Sequence, residues 1–365
     1  MNPTRFVFII GFERCMTTSL ANYLTDNRYC NMLVDGIKEP GIFYGHQDLA
    51  NQIVSRRTKD GAGSLFLDAS VSYVTYPPAL RAIAQTCTQA RIIVCLRAPF
   101  QRMLSAYRYY KALHVQPMGD AARILDRGHL DDGTPIPRQL LELTVPRDSW
   151  VATLALMYFQ AFGTVADGLT EDYETLAKNK SAPAYLSRPP MGRYLFSALV
   201  AALEAIDPVT LNGKTRLEQL DRNVERFNQA SLPEIILYEL RKQRRDGSLP
   251  ELSIVRNSFF SYALASVLEI FEPSQVMVAT MDHLPGESAM DARLREFLRV
   301  EKKSAHVPFS RSNDTSGYKN IPTPVEINQA GSILENAFRE DTRRVHDLLA
   351  NHPGVDLSLY TPSTT

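Results

Sequence analysis

Two short stretches of this chain combine cations and hydroxyls at a spacing that suits an oxyanion. The first is Gly11-Phe12-Glu13-Arg14-Cys15-Met16-Thr17-Thr18-Ser19. Gly11 breaks the apolar run Phe6-Val7-Phe8-Ile9-Ile10, and Leu20, Tyr23 and Leu24 then recur at helical spacing. Arg14 and the hydroxyls of Thr17, Thr18 and Ser19 therefore fall at a helix start. Unpaired backbone N–H groups and the positive end of the helix dipole suit a phosphate or similar anion there. The second stretch runs from Arg91 to Lys111. Arg97 stands at the end of its apolar segment and offers a planar, multi-donor fork. Ser105 lies about two helical turns further on and meets the same anion if the turn folds the helix back over the strand end.

The elements that must position these residues are strands alternating with helices. The run Phe6 to Ile10 is too short to span a bilayer and reads as a strand buried on both faces. Further strands are expected at Ser64–Ser70, Arg91–Leu96 and Val276–Thr280, and a short extended element at Asp35–Tyr44, broken by Pro40 and Gly41. Helices are expected at Pro77–Gln85, Phe100–Leu113, Phe259–Phe271, Ala289–Phe297 and Pro324–Leu349, with a helix and then a loop between Asn51 and Gly63. This alternation implies an α/β chain with a parallel sheet. Ligands of such sheets sit at the carboxyl ends of the strands, where Arg14, Asp68 and Arg97 fall. The middle, from about 115 to 250, is less regular, with helical segments such as Trp150–Phe162 and Tyr194–Ile206. It reads either as a shaper of a substrate site or as a helical packing layer.

The 365 residues suffice for one large domain or two small ones. Apolar residues make up 44% and charged residues 22%, as in ordinary globular proteins. Lys plus Arg and Asp plus Glu are 40 each, which argues against nucleic-acid binding driven by net charge. Neither a signal peptide nor a membrane span is visible in the sequence. Cys15, Cys30, Cys87 and Cys95 have no metal-ligand spacing, and a reduced cytoplasmic setting is the default expectation.

Against the nucleotide P-loop, G-x-x-x-x-G-K-[ST], only Gly11 and Thr18 match: Met16 replaces the second glycine and Thr17 the lysine. The cation sits three positions earlier, at Arg14. That shift resembles the 5′-phosphosulfate loop of sulfotransferases that use 3′-phosphoadenosine 5′-phosphosulfate (PAPS). Their loop commonly reads [KR]-[SGT]-G-T-T, and Arg14-Cys15-Met16-Thr17-Thr18 occupies it, departing at Cys15-Met16. Arg97, Pro99, Arg102, Ser105 and Tyr107 resemble the 3′-phosphate element of the same family, R-x-P-x-x-R-x-x-S-x-Y. Arg102 is either part of that element or, like Arg108, a solvated helix charge. Ile254-Val255-Arg256 through Met281-Asp282-His283-Leu284 is similar to the family's late helix and strand. Ser316-Gly317-Tyr318-Lys319 is similar to its late glycine loop over the adenosine and 3′-phosphate.

The resemblance implies a P-loop-NTPase-like three-layer α/β fold, as a single sulfotransferase domain over 1–365 with a mainly helical insertion at about 115–250. It implies PAPS as co-substrate without a metal, and a carbohydrate or small-molecule acceptor. Cofactor contacts would come from Arg14, Cys15, Met16, Thr17, Thr18, Ser19, Arg97, Ser105, Ser316, Gly317, Tyr318 and Lys319. Arg14 would stabilise the leaving phosphate. Heparan-type relatives carry a Glu shortly before an aromatic pair, and Glu39 ahead of Phe43-Tyr44 resembles that base, with Lys38 beside it. A nearby phosphosulfate would raise the carboxylate's pKa toward neutrality. His46 and His114 are the rival bases. Those relatives often carry Lys where Ala69 stands, which leaves the acceptor class open. Phe43, Tyr44, Trp150 and Tyr158 are available to line an apolar acceptor pocket. A Golgi-type enzyme trimmed of its anchor would have the same composition. The rivals to this reading are a P-loop-type small-molecule kinase and a degenerate nucleotide-binding module without activity.

Overall fold

The computed structural model describes residues 5–36, 38–43, 47–60, 63–111, 116–130, 133–141, 156, 230–246, 254–280, 287–302, 307–310 and 322–361. Six strands form one sheet in the order β2-β3-β1-β4-β5-β6, and every neighbouring pair is parallel. They are β1 (Arg5–Ile9), β2 (Asn31–Met32), β3 (Leu65–Asp68), β4 (Arg91–Leu96), β5 (Val276–Thr280) and β6 (Asp356–Leu359). The helices are α1 (Thr17–Asp26), α2 (Gln47–Asp60), α3 (Pro77–Thr86), α4 (Pro99–Tyr110), α5 (Gln116–Arg127), α6 (Arg138–Leu141), α7 (Leu232–Asp246), α8 (Ser261–Ile270), α9 (Glu287–Leu298) and α10 (Pro324–Ala350).

The apolar runs become strands because parallel crossovers lay helices over the sheet and bury it. Every residue of β3 and β5 is buried, and all but the first of β1 and β4. Phe8 pairs with Asp68 on one side and Ile92 on the other, so β1 and β3 end together while β4 runs on past them. This α/β sheet with flanking helices is the expected fold class.

Two details differ from the sequence expectation, both of them strands. The extended element expected at 35–44 is turn and bend in its described residues, and the strand lies earlier, at Asn31–Met32. The element fails because Gly36 and Gly41 adopt φ of 74° and 60°, left-handed values that end a strand. A sixth strand forms at Asp356–Leu359, beyond the last helix. Helices occupy Gln116–Arg127 and Leu232–Asp246 in the irregular middle. The helices expected at Trp150–Phe162 and Tyr194–Ile206 lie outside the described residues, Leu156 alone excepted.

The chain divides into two compact units, Met1–Ala106 with Ile254–Ser316 and Gly331–Thr365, and Tyr107–Ser253 with Gly317–Ala330. The first contains the sheet. In the second, Lys111 Nζ donates to Ala230 O (3.3 Å), and Leu232 N donates to Glu326 at 3.4 Å. Glu326 also caps the start of α10 by accepting from Thr323 N (2.7 Å) and Oγ1 (2.9 Å). No helix among the described residues is long and apolar enough to cross a membrane.

Candidate active site

The site is built where β1 gives way to α1. The chain keeps pairing with β4 past the end of β1: Phe12 N donates to Cys95 O (2.7 Å) and Cys95 N to Gly11 O (2.8 Å). A turn follows, with Cys15 N on Phe12 O at 3.1 Å. Gly11 is required by a close approach. A Cβ there would stand 2.6 Å from Val74 Cγ1, because Val74 N is bonded to Ile10 O. Arg14 and Met16 take left-handed φ values of 65° and 56°, unusual for side-chain-bearing residues. Helix α1 begins at Thr17 without a side-chain cap, and Leu20 N donates to Met16 O. Cys15, Thr17 and Ser19 turn their side chains inward, whereas Arg14, Met16 and Thr18 are half-buried.

The start of α4 holds this loop. Arg14 Nε donates to Ser105 Oγ (3.3 Å), and Arg97 Nη1 reaches Arg14 O at 3.5 Å. The loop and the second stretch, distant in sequence, therefore meet through Arg14, Arg97 and Ser105. Arg102 is not the solvated helix charge of one sequence reading. It is fully buried, neither solvated nor placed with the exposed donors, and its guanidinium is taken up by protein acceptors. Helical register was the available signal: Arg102 lies one turn before Ser105, on the same side of α4. Arg108 is also no free surface charge. It is half-buried, and its Nε is shut off from solvent with no hydrogen-bond partner among the described residues.

The carboxylate side of the site lies at the end of β3. Glu39 is ion-paired with Lys38, and both side chains are largely shielded. Their segment is tied to the residues after β3. Ala69 N donates to Lys38 O (2.9 Å), Gly41 N to Ser70 Oγ (2.9 Å) and Phe43 N to Tyr73 Oη (3.2 Å). Lys38 Nζ lies 3.5 Å from Ala69 O. Asp68 is fully buried and accepts from Ser70 N (2.9 Å) and Tyr73 Oη (3.0 Å). Burial pushes its carboxyl up to about 6; those hydrogen bonds oppose the rise, and the charge of Glu39 adds to it. Burial also raises the Cys95 thiol. Cys15 adds to that rise and Lys38 opposes it.

Phe43 belongs to the core. It is 2% exposed and packs edge-on against Phe8 and Tyr73, so it lines no acceptor pocket. Tyr44, His46, His114, Trp150, Tyr158, the 281–284 stretch and Ser316, Gly317, Tyr318 and Lys319 lie outside the described residues. Sequence reasoning missed Glu13 and Ser258, which bind Arg102, and Asp341, which caps α8. No cluster of His, Cys, Asp or Glu able to hold a metal ion occurs among the described residues.

Chemically, the arrangement offers two half-buried guanidiniums and an uncapped helix start to an anion, with the shielded Glu39 carboxylate on a segment tied to the residues after β3. The acidic side chains near the cations are matched, Glu13 by Arg102 and Glu39 by Lys38. No protein-family model matches the chain, and no curated protein does. Among solved structures, the chain is similar to the crystal structure of a sulfotransferase from Alicyclobacillus acidocaldarius, at 16% identity over 94% of this chain and 95% of that chain, with a TM-score of 0.43. A likeness of that size extends to neither substrate nor site residues.

Proposed function

We propose that the chain is a PAPS-dependent sulfotransferase acting on a hydroxyl or amine of a carbohydrate or small molecule. The observation that carries this reading is the bond from Arg14 to Ser105, which joins two stretches 91 residues apart. Each stretch separately resembles one half of a phosphosulfate site. The donor set suits the ligand. Arg14 and the start of α1 would face the 5′-phosphosulfate, and Arg97 with Ser105 the 3′-phosphate. In transfer, Glu39 takes the acceptor proton as the acceptor oxygen or nitrogen bonds to sulfur. The bond from sulfur to the bridging phosphate oxygen breaks, and Arg14 stabilises the charge left on that oxygen. Lys38 holds the Glu39 carboxylate in the meantime.

Thermal unfolding with adenosine 3′,5′-bisphosphate against ATP-magnesium tests the proposal. A ligand bound only by the folded state stabilises it by about 2.7 kcal/mol at one hundred times its Kd. The midpoint should rise with the bisphosphate in the wild type and fail to rise in Arg97→Ala. A rise with ATP-magnesium alone would sink the reading in favour of a kinase.

A further inference from the structure

We infer that Arg102 is a positioning residue: it fixes the main chain of the anion loop from behind and couples it to the turn at Ile254–Ser258. This inference rests on the sulfotransferase reading only for the identity of the ligand. Four contacts carry it. Arg102 Nε donates to Glu13 O (2.9 Å), and Nη2 to the Glu13 carboxylate (3.4 Å). Nη1 donates to Ile254 O (2.8 Å) and Ser258 Oγ (3.2 Å), and Ser258 Oγ itself donates to Ile254 O (2.9 Å). The guanidinium has no exposed surface, so it is no ligand for a phosphate in solution.

The acceptor on the loop is the decisive one. Glu13 O belongs to the peptide that leads into Arg14, whose φ is 65°. A left-handed backbone is unfavourable for a non-glycine residue and persists only where its surroundings over-determine it. Here the constraints are visible. Arg102 holds the carbonyl before Arg14, Ser105 holds its side chain, and Arg97 reaches the carbonyl of Arg14 itself. Arg102 and Ser105 lie three apart on α4, on one helix face. Lysine would keep the charge at position 102 but not the planar fork that serves separate acceptors. Ile254 and Ser258 bound the far end of that fork. Ordering the loop around an anion therefore orders the 254–258 turn through one rigid, planar group.

Amide hydrogen exchange on wild type, Arg102→Lys and Ser258→Ala, well below their melting temperatures, decides it in two arms. Without ligand, Arg102→Lys should speed exchange about tenfold at residues 15–19 while β4 and β5 stay as protected as in wild type. Uniform loss across the sheet, or no change at the loop, overturns the positioning role. Should Arg102→Lys fail to fold, Ser258→Ala serves the same arm, with a smaller, two- to threefold rise expected at the loop, because Ile254 O and Glu13 still accept from the fork. With adenosine 3′,5′-bisphosphate, wild type should gain protection at residues 15–19 and at the Ser258 and Phe259 amides together, and Ser258→Ala at the loop alone. Protection confined to the loop in wild type overturns the coupling. No bisphosphate effect anywhere overturns the nucleotide reading and the ligand coupling with it, while the ligand-free arm still decides whether Arg102 holds the loop.

Discussion

Asp68 and Glu39 are two carboxylates with opposite circumstances. Glu39 has a cation beside it, whereas Asp68 sits without exposed surface among neutral donors and near the Glu39 charge. Glu39→Gln keeps size and shape and removes the proton acceptor. On the proposed mechanism it should cut sulfuryl transfer by about 10²- to 10⁴-fold with any acceptor the wild type uses. Bisphosphate binding should stay unchanged, and an equal loss of binding would mean that Glu39 is structural. For Asp68 the consequence is stability. Its folded pKa of about 6 lies above the unfolded value of 3.8, so between those values the unfolded chain has released a proton that the folded chain still holds. Stability then falls as pH rises across that window, by on the order of 3 kcal/mol from this group. Asp68→Asn lacks the titration. Urea midpoints at pH 4 and pH 7 should show the variant gaining on wild type at the higher pH. A gap that is constant with pH would refute the buried, proton-holding carboxylate.

At the scale of elements, caps come from distant parts of the chain. Helix α8 has no side-chain cap of its own, and its first amides are met by Asp341 on α10, which accepts from Phe260 N (2.7 Å), Ser261 N (3.2 Å) and Ser261 Oγ. Replacing Asp341 by Ala removes a cap and leaves buried donors without acceptors, at a cost of about 2–3 kcal/mol. The thermal midpoint should drop, and Asp341→Asn should restore part of it; an unchanged midpoint for the alanine variant would show that water serves these amides as well. This cap was illegible in the sequence because its partners are 80 positions apart. The same holds for Arg102, whose partners at 254 and 258 lie 152 and 156 positions away. Arg14, Arg97 and Ser105 were legible because each sits at a fixed offset from an apolar strand. Helix α8 itself was legible because Phe260, Leu264, Val267, Leu268 and Phe271 share one buried face.

For the whole molecule, the legible strands were those buried on both faces. β1, β3, β4 and β5 are runs of apolar residues, and their parallel pairing follows from the helices between them. β2 is two residues long and β6 reads Asp-Leu-Ser-Leu, so each exists through its neighbour in the sheet and not through a pattern of its own. β6 nevertheless seals a vulnerable edge. β5 is entirely buried, and without β6 its backbone donors and acceptors would lie open to pairing with another chain. β6 is held by reciprocal bonds between Thr280 and Thr361, at 2.9 and 3.2 Å, by Arg293 on Ser358 O, and by the buried side chains of Val355 and Leu359. Burying two such side chains is worth about 3–6 kcal/mol. Deleting residues 355–365 should therefore lower the urea midpoint by a comparable free energy and make aggregation on heating depend steeply on protein concentration. A truncated chain that melts like the wild type and stays monodisperse would mean that α9 and α10 close the edge of β5 by themselves.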